Sequence, residues 1–298
     1  MAVRELSSSP SMLPMFARAG AAMVPGASRL PFLRVGGGSG KEIPDLTLVL
    51  NDVEVSRERL ASYDRVCGFE VGDRLPATYL HVLAFPLHLA LMTDESFPFP
   101  AIGLVHIYNR IVQHRPVTAG ERFSLKVWAT ALEPHPRGRQ FSLLSEGRVG
   151  EELVWEEVST NLRRGGGSES GAEAERSVPT ADGLPAAATW KLPAALGRRY
   201  GRVSGDLNPI HMHPLTARLF GFRSAIAHGM WTNARCVAAL DGRLPDAFSV
   251  EVAFRKPILL PATVEFAQDG PDAGGTIRFG VRRAGDGTPH LDGRATPD

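Results

Sequence analysis

The second half of the chain changes hydrophobic pattern partway along. Residues 229–240 are apolar almost all round, with Met230, Trp231, Ala234, Val237, Ala238 and Leu240. A helix without a polar face is a buried helix. Upstream, residues 195–203 form a short helical candidate. Pro214 opens another, which stops at Gly221; proline suits the first helical turn and glycine the stop. Downstream come strands: residues 249–258 run to the basic step Arg255-Lys256-Pro257, then residues 263–266. Residues 276–281 and 290–296 flank Gly285, Asp286 and Gly287 as a hairpin.

The first half repeats the strand pattern. Residues 107–117 end at His114-Arg115-Pro116 and lead into residues 123–127. Proline ends a central strand because it has no N–H for the ladder. Residues 141–145 and 153–160 flank Gly147 and Gly150 as a second hairpin. The helical stretch of this half is less clear, because Pro86 and the Phe97-Pro98-Phe99-Pro100 run interrupt it.

Two low-complexity stretches divide the chain. One is Gly36 to Gly40; the other runs from Gly165 to about Pro185 and is rich in Gly, Ser, Ala and Glu. Neither holds enough apolar surface to offset the entropy of ordering, so both read as linkers. The expected organisation is an N-terminal extension (1–40), a first half (41–164), a linker (165–185) and a second half (186–298). Each half predicts an α+β unit in which a sheet wraps a central helix.

Composition narrows the class. Apolar residues make up 43% and charged residues 22%, which fits a globular chain. The formal net charge of +1 gives no general argument for nucleic acid or an anionic membrane as partner. Two cysteines far apart, Cys67 and Cys236, make neither a disulfide framework nor a metal-type spacing. They read as small core residues in a reducing, cytoplasmic setting. No apolar run is long enough to span a bilayer. Residues 12–33 are fairly apolar but broken by Pro14, Arg18, Pro25, Arg29 and Pro31, a poor signal peptide. They read as a flexible or loosely docked arm, with a membrane- or partner-touching arm as the alternative.

Chemistry concentrates in residues 200–214, Tyr-Gly-Arg-Val-Ser-Gly-Asp-Leu-Asn-Pro-Ile-His-Met-His-Pro. Gly205 permits a tight turn. Pro209 and Pro214 push Asn208 and His213 away from the α region. The segment is therefore kinked, and Asp206 and His211 can converge across the kink. A carboxylate and an imidazole aimed at one point can hold a water and move its proton. Asn208 lies between them and can fix the loop. Downstream, Ala227-His228-Gly229-Met230 places Gly229 at the start of the buried helix. A free backbone N–H there, at the positive end of the helix dipole, suits an enolate-like oxygen.

Residues 200–217 resemble the signature of the MaoC-like, or hydratase 2, family: an aromatic, a Gly-Asp-x-Asn-Pro-aliphatic-His core, then a proline and Ala217. Residues 227–230 are similar to that family's central-helix start. The sequence departs at His213, where the family usually has Asp or Asn; a modest effect on helix capping is expected. The resemblance implies a double hot-dog fold, with the Asp/His pair in the second half and an acyl-pocket-shaping role for the first. It implies an (R)-specific enoyl-thioester hydratase, or 3-hydroxyacyl-thioester dehydratase: a hydro-lyase of fatty acid metabolism with no metal or redox cofactor. Asp206 and His211 would hold the water and Gly229 would polarise the thioester carbonyl. Ser204, Asn208, His228, Arg255 and Lys256 would meet the substrate, carried on CoA or acyl carrier protein. A monomer or homodimer is expected, without stable membrane insertion.

Rival readings remain open. A thioesterase or a non-catalytic acyl-thioester binder fits the same fold. His211-Met212-His213 with Asp206 is a possible zinc set. Arg198, Arg199, Arg202 and Arg223, with Arg255 and Lys256, could meet CoA phosphates or an acidic carrier protein, or could simply be solvated. His81, His88, His106, His114 and His135 show no interpretable spacing.

Overall fold

The computed structural model describes residues 2–21, 42–167, 171 and 173–298. The first half contributes β2 (Leu46–Val53), α2 (Arg57–Cys67), α3 (Ala77–Met92), β3 (Val105–Gln113), β4 (Phe123–Ala129), β5 (Glu133–His135), β6 (Gly138–Val149) and β7 (Glu152–Arg164). The second contributes β8 (Ala186–Leu192), α5 (Leu196–Ser204), α6 (Pro209–Met212), α7 (Pro214–Arg218), α8 (Gly229–Ala239), β9 (Phe248–Phe254), β10 (Ala262–Gln268), β11 (Ile277–Arg283) and β12 (Pro289–Pro297). Before them stand β1 (Ala2–Leu6) and α1 (Met12–Ala21), and between them α4 (Glu173–Ser177).

All the strands join one sheet, ordered β1-β2-β4-β6-β7-β3-β9-β12-β11-β10-β8, with β5 beside β6. Outward from its middle, one side reads β3-β7-β6-β4-β2 and the other β9-β12-β11-β10-β8. Matched in chain order, these are the same topology. The two basic-Pro strands are the ones that meet: β3 and β9 pair antiparallel from Tyr108 opposite Ala253 to Gln113 opposite Phe248. Each half-sheet curls around a buried helix, α3 in one and α8 in the other, and a single apolar core joins both. This is the double hot-dog architecture. Trp155 Nε1 donates to Ala77 O at 2.9 Å and fixes the start of α3 to β7.

Two sequence expectations need correction. Pro86 does not break its helix; α3 runs through it and is buried on nearly all sides. Proline forfeits one intrahelical bond, but packing of the whole helix outweighs that local cost. Phe97 and Phe99 lie past the helix end, buried edge-on against each other at 5.1 Å. The stretch 165–185 is also more than a linker. Within it α4 carries Glu175, which pairs with Arg137 (3.0 Å), and Val178 and Leu184 are buried. Ala181 N donates to Asp292 Oδ1 at 3.0 Å.

At the N-terminus, β1 adds to β2 as a parallel edge strand, from Ala2 opposite Leu46 to Leu6 opposite Leu50. Met15 on α1 is buried. Part of the expected arm is thus docked on the body, while residues 22–41, including the Gly36–Gly40 run, lie outside the described residues. Cys67 and Cys236 are free and buried. Among the described residues no helix is long and apolar enough to cross a membrane.

Candidate active site

The site is built on the kink between α5 and α6. α5 ends at Gly205, whose φ of +80° is the left-handed C-cap that glycine adopts without strain. The next turns are held by side chains. Ser204 Oγ donates to Tyr200 O (2.9 Å) and accepts from Asp206 N (3.1 Å). Asp206 Oδ1 accepts from Asn208 N at 3.1 Å, an Asx turn. Asn208 then caps α6, with Pro209 at its first position. Ser204 and Asn208 therefore line the cavity as shapers of the loop, with their oxygens already engaged, rather than as free substrate ligands.

His211 is buried on α6. Its Nδ1 lies 2.8 Å from Ile226 O. A carbonyl only accepts, so Nδ1 carries the proton and the neutral ring presents a lone pair on Nε2. Burial lowers the His211 pKa below 6.5, against the pull of Asp206. His228 stacks on it, 3.7 Å between ring centroids. Its Nε2 donates to Asp206 O (3.0 Å) and lies 3.8 Å from Asp206 Oδ2. Burial and then His211 push the His228 pKa down to about 3, opposed by Asp206. The donor atoms of Asp206, His211 and His228 all lie within 4.8 Å of one another. Among the described residues it is one of two sets able to hold a cation; the other is His81, His88 and Glu157. His213 is in neither: it caps α7 at an exposed position through Leu215 N and His213 Nδ1 (3.1 Å).

Gly229 opens α8 beside this cluster. His228, at the cap, makes no side-chain capping bond, and His228 O accepts the first helical bond from Thr232 N at 3.1 Å. The N–H groups ahead of Thr232 are the unpaired donors of a helix start. A Cβ on residue 229 would meet the Phe254 ring at 3.0–3.3 Å, so glycine is what brings this backbone onto the cavity.

These groups share one cavity of about 430 Å³, within the range of small-molecule pockets. Both halves line it. From the second half come Asp206, His211, His228, Gly229, Arg255 and Lys256; from the first, α3 contributes His81, Phe85, His88 and Met92. His106, Ser159 and Asn161 line it from the sheet, and Phe16 from the N-terminal arm. Arg255 is engaged at 2.7 Å with Asp292 and at 3.7 Å with Glu175, which leaves exposed Lys256 as the freer cation. Arg198, Arg199, Arg202 and Arg223 stand off the cavity wall. Arg137 and Arg164 line it and were not singled out from the sequence.

The histidines without an interpretable spacing acquire places here. His81 and His88 are seven apart on one face of α3, with Phe85 between; that spacing, two helical turns, is the signal that sequence reading passed over. His114 pairs with Glu156 (2.8 Å) and His135 with Glu175 (3.4 Å).

Comparison with known proteins fits this geometry. Residues 171–269 match the MaoC-like domain model. The chain is 36% identical over 250 residues to 3-hydroxyacyl-thioester dehydratase X of Mycobacterium tuberculosis, covering 84% of this chain and 89% of that protein. The crystal structure of that protein, HtdX, superposes with a TM-score of 0.74 at 34% identity, over 85% of this chain and all of the other. A second Mycobacterium tuberculosis protein, described as a double hot-dog fold, matches at 13% identity and a TM-score of 0.51 over 84% of this chain and 95% of that one. An acyl-ACP thioesterase of Bacteroides thetaiotaomicron has the same identity and TM-score, over 77% and 92%, so the fold alone does not choose between the chemistries. Identity along nearly the whole length of the dehydratase does choose a lineage: the chain belongs to the MaoC-like family.

Proposed function

We propose that the chain is an (R)-specific enoyl-thioester hydratase, acting in reverse as a 3-hydroxyacyl-thioester dehydratase. The observation that carries this is the convergence of Asp206 and His211 within 4.8 Å, in a cavity that also exposes the N-terminus of α8. A trans-2-enoyl thioester would lie with its carbonyl oxygen toward Gly229 N–H and C3 toward the pair. Asp206 Oδ2 orients a water and His211 Nε2 takes one of its protons as the oxygen bonds to C3. The electron pair moves through C2 to the thioester oxygen, where the amide and the helix dipole hold the charge. A proton returned to C2 completes the addition; dehydration retraces the steps.

Every step uses side chains or backbone already in the cavity, so no metal or redox cofactor is invoked. Lys256 at the cavity wall suits the phosphates of CoA or an acidic carrier protein. One chain holds both half-sheets and the whole cavity, so a monomer suffices and a homodimer is compatible. The two free, buried cysteines suit a reducing, cytoplasmic setting.

The test is purified protein with crotonyl-CoA and longer trans-2-enoyl-CoA substrates. Enoyl absorbance is expected to fall without release of free thiol, giving the (R)-3-hydroxyacyl product on chiral analysis. Thiol release without loss of the enoyl band would instead make the protein a thioesterase. No turnover of any acyl-CoA or carrier-protein thioester would make it a binder.

A further inference from the structure

The cavity has a second polar wall, supplied by the first half, that the hydration chemistry does not use. His81, Phe85, His88 and Met92 stand on the cavity face of α3. An acyl chain running along that helix passes imidazoles as well as hydrocarbon. Two of the nearby imidazoles bond to serines: His88 Nε2 lies 2.7 Å from Ser145 Oγ, and His106 Nε2 lies 3.0 Å from Ser159 Oγ. His81 differs. Its Nδ1 lies 2.7 Å from Glu157 Oε1. Burial alone would raise the Glu157 pKa, but His81, His88 and Asn109 outweigh it and hold the group at about 2. An ionised carboxylate only accepts, so His81 donates from Nδ1. The other ring nitrogen, Nε2, has no hydrogen-bond partner among the described residues.

Glu157 is fixed in turn. Asn109 Nδ2 donates to the same oxygen at 2.6 Å, and Asn233 Nδ2 on α8 donates to Asn109 Oδ1 at 3.1 Å. Glu157 Oε2 is buried without a hydrogen bond. A rigid network thus ties the two central helices together and ends in one unpartnered ring nitrogen at the cavity wall. A plain hydrocarbon chain would dry this nitrogen without pairing it.

We propose that His81, oriented by Glu157, is a subsite that hydrogen-bonds a hydroxyl group on the acyl chain beyond C3. This rests on the hydratase reading above.

The test compares trans-2-octenoyl-CoA with the same thioester carrying a hydroxyl at C5, C6, C7 or C8. Wild-type protein is expected to favour at least one hydroxylated isomer by about tenfold or more in kcat/KM, and His81→Leu to reduce that ratio to about one or below. Wild-type preference for the plain chain over every isomer overturns the proposal, and needs no variant to fold. A preference that survives in folded His81→Leu, or in His81→Phe should the leucine variant misfold, also overturns it. So does stoichiometric zinc in the purified protein that His81→Leu loses, because the imidazole would then face a metal. Turnover of the plain chain alone leaves the hydratase reading standing; turnover of none of the five removes both.

Discussion

His211 and His228 lie face to face, 3.7 Å between ring centroids and 23° from parallel. His228 also donates to the backbone carbonyl of Asp206 at 3.0 Å. One side chain therefore braces both the His211 imidazole and the backbone that carries the Asp206 carboxylate. His228→Ala is expected to lower kcat by roughly 10²-fold, the usual consequence of misplacing a reacting group by about 1 Å. KM should change much less. Steady-state kinetics on an enoyl-CoA check this; a change confined to KM would make His228 a substrate contact instead.

Asp206→Asn and His211→Ala remove the groups proposed to hold and deprotonate the water. Each is expected to lower kcat by about 10²–10⁴-fold, the usual contribution of a positioned acid or base. Thermal unfolding should show both variants folded, since the Asx turn at Asn208 tolerates an amide at 206 and α6 is fixed by its own cap. Near-normal hydration by both variants would falsify the assignment.

Gly229→Ala puts a methyl group 3.0–3.3 Å from the Phe254 ring, tighter than an ordinary carbon–carbon contact. Either the ring or the start of α8 must move, and the amide moves with it. The expected loss is roughly 10²-fold in kcat, the scale of removing one oxyanion donor. Phe254→Leu in the same chain relieves the contact and should recover part of that loss. If the double variant is as slow as the single one, the glycine serves something other than close approach.

The contrast between what the sequence disclosed and what it concealed follows the range of the forces involved. The turn at Gly205, the cap at Asn208 and the buried stretch at Gly229 are local, and each is written within a few neighbouring residues. The strand pairs ending at Arg115-Pro116 and Lys256-Pro257 were also legible, although their pairing with each other was not. Pro86 misled because proline's cost is local and its compensation, burial of all of α3, is not. His81 had no readable partner because Glu157 stands 76 residues away; the Asn233–Asn109 contact spans 124. The strand β1 escaped notice for the same reason: it is a strand only because Leu46–Leu50 offers an open edge.

Stability should fall in weak acid, and the sign follows from buried neutral imidazoles. Burial lowers the pKa of His88 to about 3, of His106 to about 4 and of His228 to about 3, and lowers that of His211 as well. Unfolded, each titrates near 6.5. Below that value the unfolded chain takes up protons that the folded chain refuses, so the stability present above pH 6.5 is lost as pH falls toward 4. Each imidazole contributes about 1 kcal/mol per pH unit in that window. Glu157, lowered to about 2 from 4.5, acts in a different window: its stabilisation is present above pH 4.5 and disappears below. The melting temperature is therefore expected to drop between pH 7.5 and 5.0, where the histidines outnumber the opposing Asp64, whose burial raises its pKa to about 6. A flat profile over that interval would mean that these rings are charged in the folded protein.

The N-terminal arm reaches the cavity through two residues one helical turn apart. Met12 sits on the catalytic turn, so close that a Cβ on Gly205 would fall 1.9 Å from its methyl carbon, and Phe16 forms part of the cavity wall. An acyl chain long enough to touch Phe16 gains apolar contact there that a four-carbon chain does not. Phe16 is half-buried before substrate binds, so the gain is about 1 kcal/mol, roughly fivefold in affinity. Phe16→Ala is therefore expected to raise KM about fivefold for long enoyl-CoA substrates and to leave crotonyl-CoA kinetics close to wild type. An equal rise for both would place Phe16 over the thioester instead, and no change for either would mean that α1 leaves the cavity when substrate enters.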